Sequence, residues 1–217
     1  MVGYQAFLEQ LRRKWKQGQH LTISGPTGSG KTYLASDLLE MRDYVVLITT
    51  KKRDETLERY HGYKRMTKWL PSFGDNRILF FPRAKKIEDL PKQQREVYAA
   101  LADMYEAGGW TPYFDDLFYL SHTLKLKEPI RMLYTQSRSN NITLVGSVQR
   151  PAWVPLEVPS QSTYLIVFKN GDKRDVDTLA EATGIDRKLM QELNHSLKQY
   201  DFLFIENGKS VDYVRRN

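Results

Sequence analysis

The chain has 217 residues, with 33 Lys and Arg against 26 Asp and Glu, a formal charge of +7 and a sequence pI near 9.4. Cysteine is absent, which excludes disulfides, thiolate zinc sites and cysteine nucleophiles, and the four histidines are scattered without metal-ligand spacing. The positive surplus suits a polyanionic partner without choosing one, and the absence of a leader or of an apolar run of about 18 residues predicts a soluble, unexported protein.

In chain order, Ala6, Phe7, Leu8, Leu11 and Trp15 recur at helical spacing beside Arg12, Arg13, Lys14 and Lys16, which predicts an amphipathic helix ending near Gly18. His20 to Ser24 reads as a short buried strand, followed by a glycine-rich turn, a helix from Lys31 to about Met41 and a strand at Tyr44 to Thr50. Lys51 to Phe73 is irregular and basic. A strand at Ile78 to Phe81 leads to a helix near Gln93 to Glu106, and a strand at Thr111 to Phe114 runs into Asp115 and Asp116. Pro112 is awkward within that strand because it cannot donate to a ladder, unless it marks the strand's start. A helical stretch from Ser121 to Ser137 precedes strands at Ile142 to Val148 and Tyr164 to Phe168. Helices at Val176 to Thr183 and Arg187 to Leu197 follow, and then a hairpin of Phe202 to Ile205 and Val211 to Val214 around Asn207-Gly208. This alternation predicts a three-layer α/β fold, a mainly parallel sheet with helices on both faces, in a single domain. Residues 1–18 are its N-terminal helix, 19–206 its core and 207–217 a C-terminal strand and basic tail.

Gly25-Pro26-Thr27-Gly28-Ser29-Gly30-Lys31-Thr32 matches the phosphate-loop pattern in full and lies between a predicted strand and a predicted helix. The chemistry follows from residue type. Glycines let backbone N–H groups turn toward phosphates, Lys31 reaches the β and γ phosphates, and the Thr32 hydroxyl is a magnesium ligand. The expected ligand is ATP with Mg2+. The strand ending in Asp115-Asp116 delivers two carboxylates to the sheet edge where such folds bind ligands. Asp115 is the expected magnesium partner and Asp116 the base that orients water; a pair of solvated helix-capping aspartates is the alternative.

Further along, Ser137-Arg138 precedes Ile142 to Val148 and then Gln149-Arg150-Pro151. With the phosphate loop and the aspartate pair, this resembles the FtsK/HerA class of DNA-translocating ATPases, and the compact chain looks most like viral genome-packaging ATPases. The resemblance implies a homo-oligomeric ring of five or six subunits that uses ATP hydrolysis to move double-stranded DNA, a capsid portal or vertex protein as partner, and a cytoplasmic location. It further implies that Gln149 is the γ-phosphate sensor on a strand between the loop strand and the aspartate strand, against a plain polar strand end. Arg138 is implied as an arginine finger acting in a neighbouring subunit, with Arg150 as its competitor. Asp116 stands where the class usually has Glu. The other readings are a cellular or plasmid DNA pump for segregation, conjugation or end processing, and a nucleotide-gated assembly switch.

Lys51, Lys52, Arg53, Arg59, Lys64, Arg65 and Lys68, interleaved with Tyr60, His61, Tyr63 and Trp69, form the expected contact to DNA phosphates without sequence specificity. Asp54, Glu55 and Glu58 dilute that charge, so a solvated helix face is an equal reading. Lys125 to Arg131 and the tail at Arg215 and Arg216 are weaker candidates.

Overall fold

The computed structural model describes residues 1–50, 55–72 and 74–216, so Lys51, Lys52 and Arg53 lie outside the described residues. Strand β1 (Val2–Gly3) leads into helix α1 (Tyr4–Lys14), and β2 (Leu21–Ser24) runs through the glycine turn into α2 (Lys31–Leu39). β3 (Val45–Ile48), β4 (Lys64–Met66) and β5 (Arg77–Phe80) precede the long helix α3 (Leu90–Ala107). β6 (Thr111–Phe114), α4 (Lys127–Gln136) and β7 (Val145–Val148) follow. The chain closes with α5 (Glu157–Ser160), β8 (Tyr164–Phe168), α6 (Lys173–Thr183), α7 (Arg187–Ser196), β9 (Phe202–Glu206) and β10 (Ser210–Arg215).

The ten strands among the described residues form one sheet in the order β1-β10-β9-β8-β2-β7-β6-β3-β5-β4. Only β9 runs against its neighbours, as one arm of the expected hairpin with Gly208 at φ 74° in its turn. β2, β3, β6, β7 and β8 are buried at every residue. That continuous burial is what a sheet covered on both faces requires. Register assigns the faces. Val45 and Leu47 of β3 pack with Phe7, Leu11, Leu34 and Leu38 from α1 and α2. Val46 and Ile48 point the other way, toward Leu101, Met104, Ile130 and Leu133 of α3 and α4. Leu165 and Val167 of β8 meet Val176, Leu179 and Met190 of α6 and α7 on that second face.

Three local expectations change. The tract read as irregular contains the edge strand β4, three residues long and paired with β5, too short to announce itself by alternation. The helical stretch from Ser121 to Ser137 is broken: a π-helical turn at Tyr119–Thr123 ends before Lys125, whose φ of 52° is left-handed, and α4 starts afterwards. Pro112 is tolerated as the second residue of β6. Thr111 and Asp115 donate their N–H groups toward β3, to Tyr44 O and Ile48 O, so the nitrogen of Pro112 faces β7, where pairing begins only at Tyr113.

Candidate functional site

The phosphate loop leaves the C-terminal end of β2, and Gly25 N–H donates to Val148 O at 3.0 Å, so the loop opens between β2 and β7. Its glycines answer two constraints. A Cβ on Gly25 would lie 2.7 Å from Phe168 Cβ, and Gly28 and Gly30 adopt φ of 80° and 98°, the left-handed region that disfavours side chains. Gly30 caps α2 without a side-chain hydrogen bond, which aims the first N–H groups of that helix at the loop's centre, an arrangement suited to phosphate. Lys31 is 8% exposed, and its Nζ donates to Gly25 O and Pro26 O, each at 2.7 Å.

Above the loop lies a cleft of about 330 Å³ whose lining includes Lys31, Thr32, Asp115, Ser147 and Gln149. Sequence reasoning named all of these except Ser147. Asp115 is 6% exposed; its Oδ2 accepts from the Thr49 hydroxyl at 3.3 Å, and the Tyr113 hydroxyl lies 3.4 Å from Oδ1. Burial first, and then the charge of Asp115, push the Tyr113 pKa well up, so this phenol stays a neutral donor to the carboxylate. Gln149 follows β7, which lies between β2 and β6 as expected, and its Oε1 accepts from Thr27 of the loop at 3.0 Å. Thr32 and Asp115 supply two oxygens to one cleft. That donor set fits magnesium, which takes few protein ligands and completes its shell with phosphate and water. Among the described residues no cluster of three or more His, Cys, Asp or Glu forms a separate metal cage.

Asp116 is placed differently. Its Oδ1 accepts the Tyr119 N–H at 3.0 Å and its carbonyl accepts the Leu120 N–H at 3.3 Å, so it caps the π-helical turn and stands outside the cleft's lining. Arg138 lies in a 3-10 turn ahead of β7, where it donates to Gln161 O and to Thr163 Oγ1. Those partners precede β8, on the N-terminal edge of the sheet, so the four residues of β2 separate Arg138 from its own phosphate loop, a height of about 13 Å. Arg150, the residue after Gln149, is engaged elsewhere: it pairs with Asp172 and, through Nε at 2.6 Å, with the fully buried Asp175, and its guanidinium stacks 4.5 Å from the Trp153 centroid.

Sequence reasoning missed an aromatic and cationic wall. Tyr33 and Tyr200 line the cleft, both half exposed, and Tyr200 holds a left-handed φ of 67°. Arg216, read as part of a basic tail, donates to Gly30 O at 3.4 Å, and its guanidinium sits 5.9 Å from the Tyr33 centroid. Arg59, expected among the DNA-facing cations, instead lies over Tyr33 at 4.5 Å. Tyr33 was legible as the residue after the loop motif; Tyr200 and Arg216 flank the hairpin on its two sides, and no local pattern places them beside the loop. Of the expected DNA-contacting cluster, Lys64 pairs with Asp75 at 2.7 Å, Arg65 is exposed, and Lys68 lines a separate groove. Tyr60, Tyr63 and Trp69 are buried in the core and not displayed beside those cations.

No protein-family model matches the chain. It is 26% identical over 178 residues to the DNA packaging ATPase P9 of Enterobacteria phage PRD1, covering 80% of this chain and 74% of that protein. Its fold superposes on the genome packaging NTPase B204 from Sulfolobus turreted icosahedral virus 2 in complex with AMPPCP, with a TM-score of 0.68, 16% identity, and coverage of 92% of this chain and 98% of that one. The chain has the fold of a phosphate-loop NTPase. VirB4 of Thermoanaerobacter pseudethanolicus shares that NTPase fold at a TM-score of 0.71 and 11% identity, over 91% of this chain and 89% of that one. The resemblance drawn from the sequence is met by the similarity to a phage DNA packaging ATPase, and the solved structures agree on the fold. Among the described residues no helix is long and apolar enough to cross a membrane.

Proposed function

We propose that this phosphate-loop NTPase hydrolyses ATP to drive double-stranded DNA into a viral capsid. The observation that carries the reading is the convergence of Lys31, Thr32, Asp115 and Gln149 on one cleft at the junction of β2, β7 and β6, in a chain similar over most of its length to a phage packaging ATPase.

In this reading Lys31 leaves its loop carbonyls to neutralise the β and γ phosphates of bound ATP, while Thr32 and Asp115 hold magnesium, which would withdraw charge from the phosphate oxygens. Water is oriented by Asp116, which takes its proton as the water oxygen joins the γ phosphorus and the bond to ADP breaks. Gln149 senses the γ-phosphate from the loop side. Arg138, too far from its own loop to serve it, acts on the nucleotide of the next subunit in a ring of five or six, where a guanidinium offsets charge that develops in phosphoryl transfer. The ring docks on a capsid portal or vertex protein in the host cytoplasm. The whole chain serves as one ATPase domain.

A triplex-displacement assay tests translocation. The wild-type chain with ATP should strip a third strand from linear duplex DNA, and Lys31→Ala should not. Displacement that proceeds equally without ATP, or equally in Lys31→Ala, contradicts the reading.

A further inference from the structure

A second charged concavity lies on the C-terminal edge of the sheet, the same edge as the nucleotide cleft but two strands beyond β6. This groove of about 370 Å³ is lined by Lys68, Arg83, Lys85 and Lys92, together with Asp89 and Glu96. The two acids are committed to backbone amides. Asp89 Oδ2 accepts the N–H groups of Lys85 at 2.7 Å and Lys86 at 3.0 Å, and Glu96 Oε2 accepts that of Trp69 at 3.1 Å. The four cations are all exposed, and none makes an ion pair with a described residue. Asp89 thus fixes the shape of the segment that carries Arg83 and Lys85, and the groove's four cations outnumber its two carboxylates, an excess of positive charge suited to an external anion.

The floor of the groove is connected by hydrogen bonds to Asp116, the neighbour of the cleft's Asp115. Gln93, on the first turn of α3 and 2% exposed, donates from Nε2 to Pro82 O at 2.6 Å and accepts at Oε1 from the Tyr119 hydroxyl at 2.9 Å. Tyr119 in turn donates its N–H to Asp116. An amide with its donor and acceptor both engaged in a dry site has no slack, because loss of either bond leaves a buried polar group unsatisfied.

We infer that this groove binds the phosphodiester backbone of double-stranded DNA, and that an anion drawing on Arg83 and Lys85 shifts Pro82 and, through Gln93 and Tyr119, the carboxylate of Asp116. Gln93 and Tyr119 are positioning residues in this scheme, and Asp116 is the group they position. The inference rests on the reading of the chain as a DNA-driven ATPase and supplies a route by which DNA sets the rate of hydrolysis.

The test measures binding of a fluorescent linear duplex to the full chain across a salt series, together with the ratio of DNA-stimulated to DNA-free ATPase rate. Arg83→Ala with Lys85→Ala should weaken duplex binding by about tenfold at low salt and reduce the salt slope by about two. Tyr119→Phe, which removes one hydroxyl and keeps the ring and the N–H, should bind duplex as the wild type does while its rate ratio falls toward one. Unchanged affinity and slope in the double variant overturn the groove, and a wild-type ratio in Tyr119→Phe overturns the relay. If the wild type neither binds duplex nor responds to it, the DNA-motor reading itself falls.

Discussion

Thr27 donates a 3.0 Å hydrogen bond to Gln149, so the phosphate loop and the end of the neighbouring strand are in direct contact within one chain. A glutamine amide donates as well as accepts. With Oε1 turned to Thr27, its NH2 group is the part suited to a γ-phosphate oxygen. Gln149→Ala should keep ATP affinity within a few fold and lower single-turnover cleavage by about one to two orders of magnitude, as loss of a donor aimed at developing charge does elsewhere. Thr27→Val should show a smaller loss. ATP binding measured beside quenched-flow cleavage separates the two effects, and normal cleavage in Gln149→Ala would reduce that residue to a polar strand end.

Asp116 combines a structural cap with a proposed chemical task, and two substitutions part them. Asp116→Asn keeps an acceptor for the Tyr119 N–H but cannot take a proton from water, so stability should hold while cleavage falls by about a hundredfold or more. Asp116→Ala should lose cleavage and also about 1 kcal/mol of stability from the missing cap. If Asp116→Asn cleaves ATP normally, the carboxylate is only a cap and the base lies elsewhere.

The placement of Arg138 predicts complementation between subunits. Arg138→Ala and Lys31→Ala should each be inactive alone, and mixing them should restore part of the activity, because a ring then holds sites with an intact loop next to an intact finger. No recovery at any ratio counts against a finger acting in trans. Arg150→Ala should behave otherwise: it strips the fully buried Asp175 of an ion pair and should lower stability, whatever its effect on rate.

Much of this architecture was legible because a doubly covered parallel sheet writes its strands as unbroken apolar runs and separates them with helices. β3 and β8 fall where such runs stand, Val45-Val46-Leu47-Ile48 and Tyr164-Leu165-Ile166-Val167-Phe168. The phosphate loop, Asp115 and Gln149 were legible because each sits within a residue or two of a strand end. What stayed hidden depends on distant chain segments. Tyr200 and Arg216 reach the loop from the two sides of the far hairpin, and the Gln93 bridge joins residues of α3 to two separate loops. Lys64 reads as a DNA-facing cation until Asp75 is seen beside it. Asp116 was readable as carboxylate and as cap alike, since the capping partner is only three residues away.

His20 gives the fold a pH dependence of its own. The imidazole is buried at the start of β2, its Nδ1 accepts the Leu144 N–H at 3.1 Å, and burial, followed by the nearby Arg138 charge, pushes its pKa down to about 3. The unfolded chain therefore binds this proton first. The stabilisation is complete above the unfolded value of about 6.5 and is lost as pH falls from there toward the folded value, at up to about 1.4 kcal/mol per pH unit. Urea unfolding at pH 6.5 and 5.5 lies above the range where carboxylates contribute most. The wild type should lose about 1 kcal/mol across that interval, and His20→Asn, which keeps an acceptor, should lose little. Equal losses in both proteins would assign the slope to other groups.

The most direct test of the central claim is the steady-state ATPase rate of the wild-type chain with and without linear double-stranded DNA of mixed sequence. A packaging motor predicts a rate that rises several-fold with duplex, without regard to its sequence, and a stimulation that fades as salt is raised. A rate indifferent to DNA at low salt would contradict the motor and leave a nucleotide-gated switch in its place.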